Sequence, residues 1–373
     1  MNEIRVGVTG YPGFIGYHLS THIKYLNDDL IFIPCPDEFF ENEAELRHFV
    51  KQSDVIVHLA ALNRGEDKEI LETNIRLVNQ LVGALENNRS KKHVIFASST
   101  QEDRDNAYGR SKRKGQEILE AWASRSGGTL TTLVIPNVFG AFCKPFYNSV
   151  IATFCHQINY NEEPEIHVDV EIEYIYVGNL VEKICKLIKY KDIKNQKIEI
   201  KADNYIKVSD ILSKLTLFRK LYLESSIIPK LQTNFDVDLF NTFRSYIDIN
   251  DLAQQLYLNS DNRGFLFEVV KEMSGGQAFF SLTKPGIIRG NHFHTRKVER
   301  FCVVSGDAII RLRKIGDAKI NEYKVSGNNP VAIDIPIYYT HNIENIGTSD
   351  LLTLFWSNEI YNPDKPDTYF EEV

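Results

Sequence analysis

The chain has 373 residues, 43% hydrophobic and 25% charged, with a formal net charge of -7; this excludes a protein whose main ligand is the nucleic-acid backbone, which needs a basic face. The length suggests two or three domains, each able to bury its own core. Five widely spaced cysteines without C-x-x-C exclude a disulfide framework or a thiolate zinc site, and with no apolar leader and no run of 18 apolar residues a cytoplasmic enzyme with no membrane partner is the default.

From residue 4 to about 135, short apolar runs ("IRVGVT", "LIFIP", "DVIVHLA", "HVIFASS", "LTTLVI") read as strands covered on both faces. Between them, "FIGYHLSTHIKYL", "NEAELRHFVKQ", "LETNIRLVNQLVGALENN" and "YGRSKRKGQEILEAWAS" carry apolar residues at helical spacing. Such alternation predicts a doubly wound parallel sheet, an α/β Rossmann-type domain over residues 1–245. Residues 136–245 are less regular and are expected to hold substrate-binding elements. From Leu258 onward the pattern changes to close-set strands such as "AIIRLRKI" and "LLTLFWSNE", separated by Gly and Asn turns, which predicts an all-β barrel or sandwich over 258–373.

Gly10, Gly13 and Gly16 form G-x-x-G-x-x-G between the first strand and helix, where missing side chains let the backbone approach a pyrophosphate at a positive helix end. A tight turn without a ligand would use the same glycines. Tyr108 and Lys112 make Y-x-x-x-K, one helical turn apart, and an ammonium with an oxidised nicotinamide would favour the phenolate of a tyrosine acting as general acid or base. Ser98, Ser99 and Thr100 end the preceding strand, where a hydroxyl can bind a substrate oxygen.

Together these stretches resemble the extended short-chain dehydrogenase/reductase family, which converts nucleotide sugars. The matching motifs are Thr9 to Gly16, "HLAA" (His58 to Ala61), the helix asparagine Asn74, Tyr108 to Lys112, and "PNVFG" (Pro136 to Gly140). The resemblance implies cofactor contacts at Thr9, Gly10, Gly13, Phe14, Ile15, Gly16, Leu59, Ala60, Tyr108 and Lys112. It further implies a catalytic set of Ser99, Tyr108 and Lys112, and substrate contacts at Ser99, Thr100, Asn137 and Asn148. Two features depart from it: the connection from Ser99 to Tyr108 is short, and Val134 stands where many members carry arginine. No acidic residue ends "LIFIPCP" to bind a ribose 2'-hydroxyl, which favours NADPH over NADH.

In the C-terminal part, His292 and His294 lie two apart in "RGNHFHTRKVE", Glu299 begins the next apolar run, and His341 follows in "IPIYYTHNIEN". Residues two apart on a strand share a face, so three imidazoles and a carboxylate can converge on a divalent ion, Zn, Mn, Fe or Ni. The spacing of Gly286, His292, His294, Glu299, Gly306, Pro336, His341 and Asn345 resembles the cupin fingerprint, with Tyr338 in place of a customary glycine. "DNRGFLFE" (Asp261 to Glu268) and "RGNH" also resemble metal-free cupin epimerases, whose histidine removes a proton beside a ketone. His292 is therefore a metal ligand, a catalytic base or a relic, and a histidine not bound to metal, Tyr338, Tyr339 and Lys284 are the candidates for the base.

Both sites suit a keto-sugar: one inverts an acidic carbon beside the carbonyl, and the other makes that inversion directional by reducing the ketone. The domain order, with "KPFYNSVIATF", "GNNPVAIDIP" and the tail "NPDKPDTYFEEV", resembles a family of bifunctional capsular-polysaccharide enzymes. That resemblance implies a UDP-2-acetamido-2,6-dideoxy-4-keto-hexose epimerised at C-3 in a zinc-bearing cupin domain. NADPH-dependent reduction at C-4 would then give a UDP-2-acetamido-2,6-dideoxy-L-talose, in a homodimer. The alternatives are a simple UDP-4-keto-sugar reductase with the barrel as a binding or dimerisation module, and a redox-neutral sugar epimerase or dehydratase.

Overall fold

A computed structural model describes residues 3–89, 91–190, 194–261, 264–273 and 275–373, with only the backbone described for 264–266. Two compact units emerge. The first holds residues 1–139, 143–150 and 170–207, and the second residues 140–142, 151–169 and 208–373.

In the first unit the apolar runs become β1 (Ile4–Thr9), β2 (Leu30–Cys35), β3 (Val55–His58), β4 (His93–Ser99) and β5 (Thr129–Ile135). Between them run helices α1 (Phe14–Leu26), α2 (Glu43–Gln52), α3 (Asp67–Asn87) and α4 (Ala107–Ser126). A sixth strand, Gln196–Glu199, completes a sheet of order β2-β1-β3-β4-β5 followed by that strand, and every pair in it is parallel. Strand order reverses at β1 and β3, so the carboxyl ends of these two strands open the crevice in which doubly wound sheets bind ligands. Phe49, Phe96 and Trp122, each at most 2% exposed, anchor the helices to the sheet; truncating one such aromatic to alanine typically costs about 3–5 kcal/mol.

The second unit contains two five-stranded sheets. In order, one joins Ala253–Gln255, Val331–Ile335, Glu299–Ser305, Leu351–Ser357 and Gln277–Thr283; the other joins Ile320–Ser326, Asp307–Lys314, Tyr339–Asn345, Ile288–Phe293 and Tyr369–Phe370. Phe301, Val303, Ile333 and Phe355 from the first sheet share one apolar core with Ile310, Leu312 and Ile343 from the second. Ile310 and Leu312 are both fully buried, as the alternation in "AIIRLRKI" requires. Among the described residues after 258 there is no helix.

Residues 208–244, which sequence reading groups with the α/β half, fall in the second unit. Buried polar groups explain this grouping. The guanidinium of Arg300 is bidentate on Asp334, with 2.7 and 2.8 Å bonds, the Tyr222 hydroxyl donates to the same carboxylate, and Arg244 donates to the carbonyl of Ile335 at 2.8 Å. Apolar periodicity says nothing about such pairings. No described helix is long and apolar enough to cross a membrane, and none of the five cysteines is in a disulfide, four of them being buried.

Candidate functional sites

The glycine turn sits at the strand-order reversal. Gly10 follows β1 with φ +66°, and a Cβ there would lie 2.7 Å from the backbone nitrogen of Ala60; a Cβ on Gly16 would lie 2.4 Å from the carbonyl oxygen of Gly10. Both glycines are thus explained by close backbone packing. Gly13 is different: it is the N-cap of α1 with an ordinary φ of -72° and no side-chain cap, and its Cβ would meet only the Gly10 oxygen, at 3.1 Å. Phe14, Ile15 and Gly16 form the first turn behind it, so backbone N–H groups face outward at a positive helix end, a cradle that fits a pyrophosphate. The Thr9 hydroxyl bridges β1 to β3, 2.8 Å from His58 Nδ1 and accepting from the N–H of Ala60 at 3.2 Å. That bridge fixes the Leu59–Ala60 edge of the crevice.

Asn106 caps α4 by accepting from the N–H of Gly109 at 2.7 Å, which puts Tyr108 in the first turn and Lys112 one turn later. The Lys112 ammonium donates to the carbonyl of Ala97 at 2.7 Å and lies 5.3 Å from the centre of the Tyr108 ring. Burial, with Tyr147 nearby, pushes Tyr108 up to about 12, and burial pulls Lys112 down to about 8. The lysine is held between a backbone carbonyl and the face of the tyrosine ring.

Of the three candidate hydroxyls, Ser98 is buried and donates to the buried Glu102, while Thr100 is exposed. Ser99 is half-buried at the carboxyl end of β4 and accepts from the N–H of Gln101 at 3.2 Å. Asn137 and Asn148 are exposed, and their amides donate to the carbonyls of Glu173 and Asn63.

A positioning network escapes sequence reading. The Asn74 amide exchanges bonds of 2.6 and 2.8 Å with the backbone of Leu62 and donates to Ser111 Oγ at 2.9 Å, which in turn donates to the carbonyl of Tyr108 at 2.7 Å. Arg64 grips the carbonyls of Phe146 and Tyr147. Asn74 is visible as a family motif, but Arg64 carries no signal in the sequence.

In the second unit His292, His294, Glu299 and His341 offer ligand atoms that all lie within 4.8 Å of one another. Four ligands at about 2.0–2.2 Å in a tetrahedral site lie about 3.3–3.6 Å apart, so the set must close by about 1 Å at its widest to hold one ion. A bulge does the aiming. Gly290 (φ +104°) and Asn291 (φ +58°) interrupt the register between Ile288–Phe293 and Tyr339–Asn345, so that His292 pairs directly with His341. The strand ends at Phe293, one residue short of His294, which is held by Tyr338 N–H donating to its carbonyl at 2.7 Å.

His294 and His341 are buried and turn Nδ1 toward the carbonyls of Asp367 and Tyr339, which leaves each Nε2 facing the cluster. His294 Nε2 lies 2.9 Å from Glu299 Oε2 and His341 Nε2 lies 3.7 Å away, yet neither nitrogen makes an aligned hydrogen bond. Buried nitrogens left in this state fit a metal. Burial opposes the Glu299 charge, but the neighbouring imidazoles, His294 foremost, outweigh it and hold the carboxyl down to about 2, while Glu299 in turn raises His294 against its burial. Burial and the neighbouring imidazoles pull His292 to about 4 and His341 to about 3, so both present neutral nitrogens, as a divalent ion requires.

Tyr338 occupies the customary glycine position at φ +59° and is buried. Lys284 is exposed and paired with Asp350 at 2.8 Å. The "DNRGFLFE" stretch lies partly outside the described residues.

Residues 6–200 match the NAD dependent epimerase/dehydratase family, just over half of the chain, and residues 259–369 match the polysaccharide biosynthesis C-terminal domain. The chain belongs to the NAD dependent epimerase/dehydratase family. It is 30% identical over 368 residues, 98% of each chain, to the UDP-2-acetamido-2,6-beta-L-arabino-hexul-4-ose reductase of Pseudomonas aeruginosa. Capsular polysaccharide assembling protein CapF from Staphylococcus aureus is similar in structure, with 36% identity, a TM-score of 0.61, and coverage of 99% of this chain and 100% of that one. RMD from Pseudomonas aeruginosa complexed with NADPH, at 18% identity and a TM-score of 0.53 over 58% of this chain and 82% of that one, supports the fold of the N-terminal half alone.

Proposed function

We propose that the chain is a bifunctional nucleotide-sugar enzyme of surface-polysaccharide synthesis. The cupin-like second unit epimerises C-3 of a UDP-2-acetamido-2,6-dideoxy-4-keto-hexose, and the first unit reduces its C-4 ketone with NADPH, giving the UDP-2-acetamido-2,6-dideoxy-L-talose on the route to N-acetyl-L-fucosamine. The observation that carries this reading is the pairing, in one chain, of a tyrosine–lysine site beside a dinucleotide turn with a buried three-histidine, one-carboxylate cluster. The substrate in this reading is supported by the 98% alignment with a relative named for reducing a UDP-linked hexul-4-ose.

In the first unit, Ser99 hydrogen-bonds the C-4 oxygen and Tyr108 gives that oxygen a proton, while Lys112 holds the tyrosine in register. Bound NADPH supplies the hydride that reaches C-4, so one hydride and one proton complete the alcohol. Thr9, Gly10, Gly13, Phe14, Ile15, Gly16, Leu59 and Ala60 form the cofactor's cradle, and Thr100, Asn137 and Asn148 belong to the sugar-nucleotide side. In the second unit a divalent ion such as zinc, held by His294, Glu299, His341 and His292, supplies positive charge beside a carbonyl whose neighbouring C–H is losing its proton. His292 is only half-buried where His294 and His341 are buried, which suits it to face substrate as ligand or base. The homodimer belongs to this reading, and the edge strand Gln277–Thr283 supports it by exposing Phe279, Phe280 and Leu282.

The test is proton NMR of the 4-keto UDP-sugar in deuterated water, with and without NADPH. Solvent deuterium should enter C-3 without NADPH, and the alcohol should form only with it. Lys112→Met should abolish reduction while exchange continues, and His292→Ala should impair exchange. Reduction without deuterium at C-3 leaves a simple reductase; turnover without NADPH consumption leaves a redox-neutral enzyme.

A further inference from the structure

The tail "NPDKPDTYFEEV" takes no part in the chemistry above, yet it lies against the histidine cluster. Tyr369–Phe370 pairs with His292 and Phe293 as the outer strand of the second sheet, and the N–H of Glu371 donates to the carbonyl of Asn291 at 3.0 Å. Asp367, just before this strand, is 1% exposed and has φ +45°. A carboxylate is rarely buried so completely unless donors surround it.

Those donors come from one short turn. Asp367 Oδ1 accepts from the Thr295 N–H at 3.1 Å and from the Thr295 hydroxyl at 2.6 Å, while Oδ2 accepts from the N–H groups of Arg296 and Lys297, both at 3.0 Å. Arg296 Nη1 adds a charge 3.6 Å away. Three consecutive backbone N–H groups close on one carboxylate, a nest of the kind that binds anions. This turn joins His294 to Glu299, and so sets the distance between two members of the cluster. The backbone carbonyl of Asp367 also accepts from His294 Nδ1, which keeps the proton on that nitrogen and turns Nε2 inward.

We propose that Asp367 is the positioning residue of the metal cluster: its side chain shapes the turn from His294 to Glu299 and its carbonyl selects the metal-binding tautomer of His294. The inference rests on the metal reading of that cluster. Its effect belongs on affinity and coordination geometry, because Asp367 touches the ligands and not the ion. Outer partners of ligating histidines typically contribute about 10–100-fold in metal affinity.

The experiment uses the full chain, stripped with chelator and titrated with Co²⁺ against a competing chelator, with the visible d–d spectrum recorded and Zn²⁺ as a second probe. Asp367→Ala should weaken Co²⁺ about 10–100-fold and change the spectrum. Asp367→Asn keeps the shape and the backbone carbonyl but turns an NH₂ group toward backbone N–H donors; it should also weaken binding and alter the spectrum, with NADPH binding retained. Thr295→Val, which removes one bond and leaves the nest, should stay close to wild type. If wild type takes up no Co²⁺ or Zn²⁺, the metal reading fails and this inference falls with it. If wild type binds but Asp367→Asn, folded by thermal melting, matches it in affinity and spectrum, the role assigned to Asp367 is overturned while the metal reading stands.

Discussion

Gly13→Ala separates a glycine kept for a ligand from one kept for the fold. The φ of -72° and ψ of 169° at Gly13 suit any L-residue, and the new Cβ meets one atom, the Gly10 oxygen at 3.1 Å. Relieving that contact and replacing a glycine cap by alanine cost about 1 kcal/mol, offset by about 0.4–1 kcal/mol from the stiffer unfolded chain. Stability should therefore stay within about 1 kcal/mol of wild type. A methyl group standing where a pyrophosphate rests would remove one charge-assisted backbone bond, about 1.5–3 kcal/mol, or about 10–150-fold in Kd. Gly10→Ala is the contrast: at φ +66° its Cβ would lie 2.7 and 2.8 Å from backbone atoms of Ala60, so it should lower stability along with binding. Thermal melting and NADPH fluorescence titration measure both effects. If Gly13→Ala binds NADPH as wild type does, the cradle lies elsewhere and the assignment is wrong.

Two further outcomes follow from the buried histidines. His294→Ala and His341→Ala should each lose bound metal by more than the about 10–100-fold typical of outer-partner changes, measured by elemental analysis, while NADPH titration of the same variants is unchanged. Burial holds His58 down to about 3 and His93 down to about 4, against about 6.5 in the unfolded chain. Because the unfolded state binds those protons first, the stability they contribute is whole above about pH 6.5 and lost as pH falls through about 4 and 3, by up to about 5 kcal/mol for His58. In a Trp356→Phe background, where Trp122 alone reports on the first unit, His58→Asn should flatten this acid dependence; an unchanged slope would show that His58 does not supply it.

Local pattern sufficed where the code is local. The continuous apolar runs of β1 to β5 and the helical spacing between them settle a parallel sheet, because strands covered on both faces show no alternation. The glycines, the Y-x-x-x-K pair and the four cluster residues were legible because their spacing follows from strand and helix periods. Tertiary structure decided what depends on partners far along the chain. It distinguished Gly13 from Gly10 by what surrounds each Cβ. It left Ser99 half-buried while committing Ser98 to Glu102, and it raised the Tyr108 phenol by burial that no spacing reveals. It also drew residues 208–244 to the C-terminal sheets through Arg300, Asp334, Tyr222 and Arg244, and laid Asp367 across 70 residues of chain onto the turn that spaces His294 from Glu299. Periodicity encodes which face of an element is apolar; which buried polar group meets which is settled only when desolvation leaves each donor to find its acceptor.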